Sequence, residues 1–139
     1  MGEFTVTHSF RHPPERVFDA WLDPAIARRF LFATPTGEMI RAETDPRVGG
    51  QFVFVDRRPE MGDVLHTGEY LEIDRPRRLV FTFGVPAFDP GFTRVEVEIT
   101  PTAAGCDVSL TQRDTPDEWV EPSTQGWTMI LGALDAALG

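Results

Sequence analysis

The stretch Gly126-Trp127-Thr128-Met129-Ile130-Leu131-Gly132-Ala133-Leu134-Asp135-Ala136-Ala137-Leu138 decides the fold, because it is the one long helix-period pattern in a chain otherwise made of strand-like runs. Trp127, Ile130, Leu131, Leu134 and Leu138 recur at i, i+3, i+4, i+7 and i+11, which sets five large apolar side chains on one stripe. Such a stripe needs an apolar surface facing it. Each fully buried large side chain contributes roughly 1.5–3 kcal/mol, so this helix is integral to the fold. Gly132 costs it nearly 1 kcal/mol of helix propensity, which predicts the close approach of a ligand or a neighbouring strand. Pro122, in Trp119-Val120-Glu121-Pro122, predicts a short turn first and the long helix from about Ser123.

The facing surface is found upstream, where residues 37 to 113 switch to period two. Six strands are predicted: Met39 to Thr44, Gly50 to Arg57, Val64 to Ile73, Arg78 to Val85, Thr93 to Thr100 and Cys106 to Arg113. Proline- or glycine-bearing turns such as Asp74-Arg75-Pro76-Arg77 and Pro101-Thr102-Ala103-Ala104-Gly105 separate them, as in an antiparallel meander. Val95, Val97 and Ile99 oppose Arg94, Glu96 and Glu98, and a slip of one residue would bury two carboxylates, so register is strongly specified. Leu79, Phe81, Phe83 and Val85 form the matching row of the preceding strand, and Val108 and Leu110 extend it.

Before the meander, Glu3 to Phe10 alternates Phe4, Val6, His8 and Phe10 against Glu3, Thr5, Thr7 and Ser9, a first strand that His12-Pro13-Pro14 ends. Pro14 suits a helical first turn and Glu15 its positive end, which predicts a helix over Glu15 to Leu22 with Val17, Phe18, Trp21 and Leu22 inward. Asp23-Pro24 ends it and caps a second short helix, Ala25 to Leu31, carrying Ile26, Phe30 and Leu31 toward the interior.

Composition limits the function classes. At 139 residues the chain fits one domain, 1–139, with 41% hydrophobic and 25% charged residues. Its apolar stretches are too short for membrane insertion, and Met1-Gly2-Glu3-Phe4-Thr5-Val6 has no basic, apolar-cored signal peptide, so a cytoplasmic location is expected. A formal charge of −9 argues against nucleic acid as a partner. All 13 basic residues are arginine, which excludes Schiff-base catalysis and a phosphate-loop lysine.

The order strand, bent helical pair, six strands, long helix resembles the helix-grip fold of the START-like (Bet v 1-like, SRPBCC) superfamily. Pro14-Glu15-Arg16-Val17-Phe18-Asp19-Ala20-Trp21-Leu22-Asp23-Pro24 is similar to the opening helix of the branch related to the activator of heat-shock protein 90 ATPase (AHSA1-like). So are Asp45-Pro46-Arg47-Val48-Gly49-Gly50-Gln51-Phe52, Gly68-Glu69-Tyr70-Leu71-Glu72-Ile73, Arg77-Arg78-Leu79-Val80-Phe81-Thr82 and Gly126-Trp127. The resemblance implies an α+β class, with a curved antiparallel seven-stranded sheet wrapped around the C-terminal helix and two short helices after strand one. Where the family commonly carries a tryptophan-rich segment, this chain reads Arg28-Arg29-Phe30-Leu31-Phe32.

Catalytic constellations are sparse. His66 and Tyr70 share one face of a strand with Gly68 between them, and the nearby Glu72 favours a solvated or hydrogen-bonded pair over an acid and base. His8 reads as a satisfied core histidine, with no metal partner at ligand spacing, and Cys106 as a buried structural thiol. Glu96 and Glu98 belong to a solvated face, and Gly49-Gly50 to a turn or bulge. No metal or other cofactor is expected.

The aromatic row is more informative, because Phe52, Phe54, Phe81, Phe83 and Phe92 with Trp21 and Trp127 either fill the gap between helix and sheet or line a cavity. The expected function is to hold a hydrophobic or amphipathic small molecule there, with Trp21, Phe30, Phe52, Phe54, His66, Tyr70, Phe81, Phe83, Val97, Trp127, Leu131 and Leu134 as ligand-binding residues. A co-chaperone-like interaction module is the alternative, and a cyclase or hydrolase resting on His66 and Tyr70 a third reading. The open sheet face leaves a homodimer possible.

Overall fold

The computed structural model describes residues 2–34 and 36–139. In chain order the elements are β1 (Gly2–Phe10), α1 (Pro14–Leu22), α2 (Pro24–Ala27), β2 (Glu38–Thr44), β3 (Gln51–Arg58), β4 (Gly62–Asp74), β5 (Arg78–Phe83), β6 (Thr93–Pro101), β7 (Cys106–Thr115) and α3 (Asp117–Leu138). The fold is α+β. Seven antiparallel strands run in the order β1-β7-β6-β5-β4-β3-β2, with α3 packed on one face. The first strand closes against the last, pairing Val6 with Leu110 and His8 with Val108.

The predicted register holds across the centre. Val97 lies between Leu79 and Leu110, and Val95 between Phe81 and Gln112, so the inward rows of β5, β6 and β7 meet as one apolar surface. Trp127, Leu131, Leu134 and Leu138 of α3 are buried against it, whereas Ile130 is only half-buried and turns toward an adjoining cavity. Among the described residues no helix is long and apolar enough to cross a membrane.

Several local expectations are corrected. Helix α3 begins at Asp117 rather than Ser123 and carries Pro122 inside it. Pro116 takes the N-cap position, its carbonyl accepting from Trp119 N at 2.9 Å, and Asp117 and Glu118 suit the positive end of the dipole, so the helix starts upstream of Pro122 despite the N–H that residue lacks. Helix α2 stops at Ala27, because the bonds from Arg29 to Ile26 and from Phe30 to Ala27 tighten the chain into a turn that still buries Phe30 and Leu31. Strand β5 ends at Phe83, and Phe92 is 55% exposed, outside the aromatic row.

His66 and Tyr70 are buried on the inner face, not solvated. The reason is a bulge between Tyr70 and Glu72 that shifts the alternation of β4. Ile73 then packs on the core, and Glu72 reaches Arg78 on the outer face. Gly68 sits where β4 crosses β5 closely, and a Cβ there would overlap the Thr82 carbonyl. His8 is half-buried and hydrogen-bonds Asp135 of α3 at 2.9 Å through Nε2. Glu96 is nearly as buried as the core, under Arg94 (2.8 Å) and Arg113 (3.2 Å), while Glu98 is exposed. Cys106 is buried.

Gly132 also departs from expectation. A Cβ added there meets nothing within 4 Å, so no strand approaches it. Gly132→Ala is expected to stabilise the protein by about 1 kcal/mol through helix propensity alone. Urea denaturation checks this, and a loss of stability would mean that the site is occupied.

Candidate functional site

Between α3 and the inner faces of β3, β4 and β5 lies a cavity of about 570 Å³, within the usual range for small-molecule sites. Its floor is aromatic. Phe32, His66 and Phe83 lie with their ring planes within 10° of one another, Phe32 at 4.6 Å from His66 and 4.9 Å from Phe83. Trp127 stands edge-on to Phe32 and Phe83 at 5.8 and 5.7 Å. One wall is the segment after α2, with Arg29, Phe30, Phe32, Ala33 and Thr34, and Arg58 closes the β3 side.

The other wall is α3. Trp119, Ser123, Gly126, Ile130 and Ala133 recur at helical spacing beside the core stripe, so one face of the helix anchors it and the next lines the cavity. The loop after β5 contributes Val85 and Phe88, and Phe88 stacks on Trp119 at 5.8 Å. A smaller recess of about 140 Å³ adjoins this end and shares Phe83, Val85, Phe88, Trp119 and Ser123.

Of the residues expected from sequence, Phe30, His66, Phe83 and Trp127 line the cavity together. Trp21, Phe52, Phe54, Tyr70, Phe81, Val97, Leu131 and Leu134 pack in the buried core instead. Trp21 links the two regions, with its ring 5.4 Å from Phe30 and 6.4 Å from Trp127.

Sequence reasoning missed Phe32, Thr34, Arg58 and the Trp119-to-Ala133 stripe. The stripe had a signal in its helical period, obscured by starting the helix after Pro122. Phe32 had none, because it enters from an irregular segment with φ of 62°. That left-handed conformation is costly for a bulky residue and is held by the rings around it.

Polar groups in and around the cavity are few and specific. Trp127 Nε1 donates to Gln112 Oε1 at 2.6 Å, and Gln112 in turn donates to Thr115 Oγ1 at 3.1 Å, which satisfies a buried amide under the helix. On the β3 side, buried Asp56 accepts from Thr34 Oγ1 at 2.8 Å and from Arg58 Nε at 3.0 Å, both at Oδ2. Among the described residues, three buried polar atoms have no hydrogen-bond partner: Trp21 Nε1, Asp56 Oδ1 and His66 Nδ1. Burial, and after it the charge of Arg58, pushes the His66 pKa from 6.5 down to about 4, so the ring is neutral at pH 7. Burial pushes the Tyr70 phenol up, far from any role as a base. Among the described residues no cluster of His, Cys, Asp or Glu is placed to hold a metal.

This architecture recurs in solved structures. Protein CV1439 from Chromobacterium violaceum is 28% identical and superimposes with a TM-score of 0.86, over 96% of this chain and 94% of that one. Protein NE0264 from Nitrosomonas europaea is similar at 20% identity and a TM-score of 0.83, over 98% and 93%. SA2116 from Staphylococcus aureus, a protein of unknown function, is similar at 16% identity and a TM-score of 0.83, over 98% and 92%. The likeness to NE0264 and SA2116 is one of fold alone. No curated protein matches the chain. The model of the family described as Activator of Hsp90 ATPase homolog 1-like protein matches residues 11–139, and the chain belongs to that family, with its SRPBCC helix-grip fold.

Proposed function

We propose that the protein binds a hydrophobic or amphipathic small molecule in the cavity between the sheet and α3. One observation carries this reading. The space of about 570 Å³ is walled mainly by aromatic and aliphatic side chains, next to a core that is otherwise packed. The cavity opens to solvent, with Phe88 and Met129 exposed among its lining residues, so its apolar walls face water when it is empty and an apolar guest that covers them gains the free energy of their burial. Chemistry on the guest has less support. Tyr70 lies in the core, His66 is held neutral, and no carboxylate or serine faces His66 as a partner across a hydrogen bond among the described residues.

Gly126 supplies the test. It lines the cavity from α3, and a Cβ there meets nothing within 4 Å. Gly126→Leu therefore grows into the empty volume while improving helix propensity by about 1 kcal/mol. The expected outcome is a higher Tm without ligand and loss of the thermal shifts that lipids and aromatic metabolites give the unaltered protein. Native mass spectrometry reads the same loss as a missing adduct. Undiminished binding by the filled variant would overturn the assignment.

A further inference from the structure

The polar edge of the cavity carries information about the guest. The chain has 22 Asp and Glu residues against 13 arginines, yet none of those acids lines the cavity itself, Asp89 and Asp114 lying in the adjoining recess, whereas Arg29, Arg58 and His66 do. Asp56 stands behind Arg58 and takes its Nε, leaving the two terminal nitrogens without a protein acceptor among the described residues. Thr34 is anchored to the same carboxylate oxygen. The inward row of β3 reads Phe52, Phe54, Asp56, Arg58, so an ion pair replaces apolar side chains where the row reaches the cavity. Burying such a pair is seldom favourable by itself, and its geometry fixes the guanidinium as a donor. Arg29 adds an exposed positive charge at the rim that has no ion-pair partner among the described residues. His66, 4% exposed, presents Nδ1 unpartnered beside them.

Resting on the binding function proposed above, we infer that the guest is an anionic amphiphile, a monocarboxylate on an apolar body. Its carboxylate accepts from the terminal nitrogens of Arg58 at the polar edge, with Arg29 adding charge at the mouth. The apolar body lies over Phe32, Phe83 and Trp127. A monocarboxylate suits the site better than a phosphate monoester, because a second negative charge would raise the desolvation cost in so apolar a chamber. The overall charge of −9 opposes anions at long range, but salt screens that repulsion beyond about 8 Å.

The experiment compares matched pairs by calorimetry and thermal shift: decanoate with decanol, and naphthoate with naphthalenemethanol. The acids are expected to bind about 10- to 100-fold more tightly than the alcohols, as a charge-assisted pair requires. Asp56→Asn with Arg58→Gln removes both charges without stranding either, and Arg29→Gln alters an exposed side chain at the rim. The double change should bring the ratio of acid to alcohol affinity to about one, whatever it does to the absolute affinities, and Arg29→Gln should narrow that ratio. Equal affinity for acid and alcohol in the unaltered protein overturns the charge assignment and leaves the cavity's binding role intact. Absence of binding by all four probes overturns both.

Discussion

Phe32→Ala is expected to cost roughly 3–5 kcal/mol of stability, the range for removing a large aromatic side chain from a packed interior. Phe32 is 5% exposed and forms ring contacts with Phe52, Phe54, His66, Phe83 and Trp127, at centroid distances of 4.6 to 6.1 Å. It lines the cavity on one side and belongs to the core on the other, so its loss joins the existing space to a new void and enlarges both. Equilibrium unfolding in urea measures the loss. A bulky apolar probe that is excluded from the unaltered protein should bind the variant.

A second substitution separates packing from backbone strain. At φ of 62° alanine keeps the unfavourable left-handed conformation, whereas glycine adopts it freely. Phe32→Gly should therefore be less destabilised than Phe32→Ala by about 1 kcal/mol, the reverse of the usual order of these two residues. If glycine proves worse, the backbone at this position is not strained, and only the packing part of the cost stands.

Periodic signals made the fold legible and left the cavity half-read. Register in β6 follows from facing Val95, Val97 and Ile99 to the apolar core while Glu96 and Glu98 face the arginines of the outer surface, and the same choice sets its neighbours on either side. Alternation fails where a bulge changes its parity, so Glu72 leaves the inner face that His66 and Tyr70 share. Propensity fails where context offsets it, as at Pro122, inside a helix that acidic residues and Pro116 start upstream. The cavity combines a second helical stripe, which was present in the sequence as a period, with Phe32 and the Asp56–Arg58 pair. Those last features depend on how an irregular segment folds back across the sheet, and no local pattern encodes that. Most of the aromatic residues expected to line the cavity pack instead in the core behind it.

Between pH 6.5 and 4 the protein is expected to lose about 3 kcal/mol of stability through His66 alone, the free energy of carrying its pKa from 6.5 to about 4. The sign follows from which state binds the proton. The unfolded chain protonates His66 once the pH falls through 6.5, while the folded protein keeps the ring neutral until about 4. Stability is thus full above 6.5 and falls across that window. Glu96 acts lower on the pH scale. Burial alone would raise its pKa, but hydrogen bonds from Arg94 and Arg113 outweigh burial and hold it below 4.5, so its contribution is lost only as the pH drops beneath that value. Urea denaturation at intervals from pH 7 to 4.5 separates the two groups. His66→Phe retains a ring to stack on Phe32 and cannot ionise, so its stability should stay nearly flat across the interval in which the unaltered protein declines. An equal decline in both proteins would place the titrating group elsewhere. Between pH 7 and about 5.5, where its carboxylate stays ionised, saturating decanoate should flatten the decline of the unaltered protein, because a carboxylate beside His66 raises its folded-state pKa toward the unfolded value. Decanol, which brings no charge, should leave that slope unchanged.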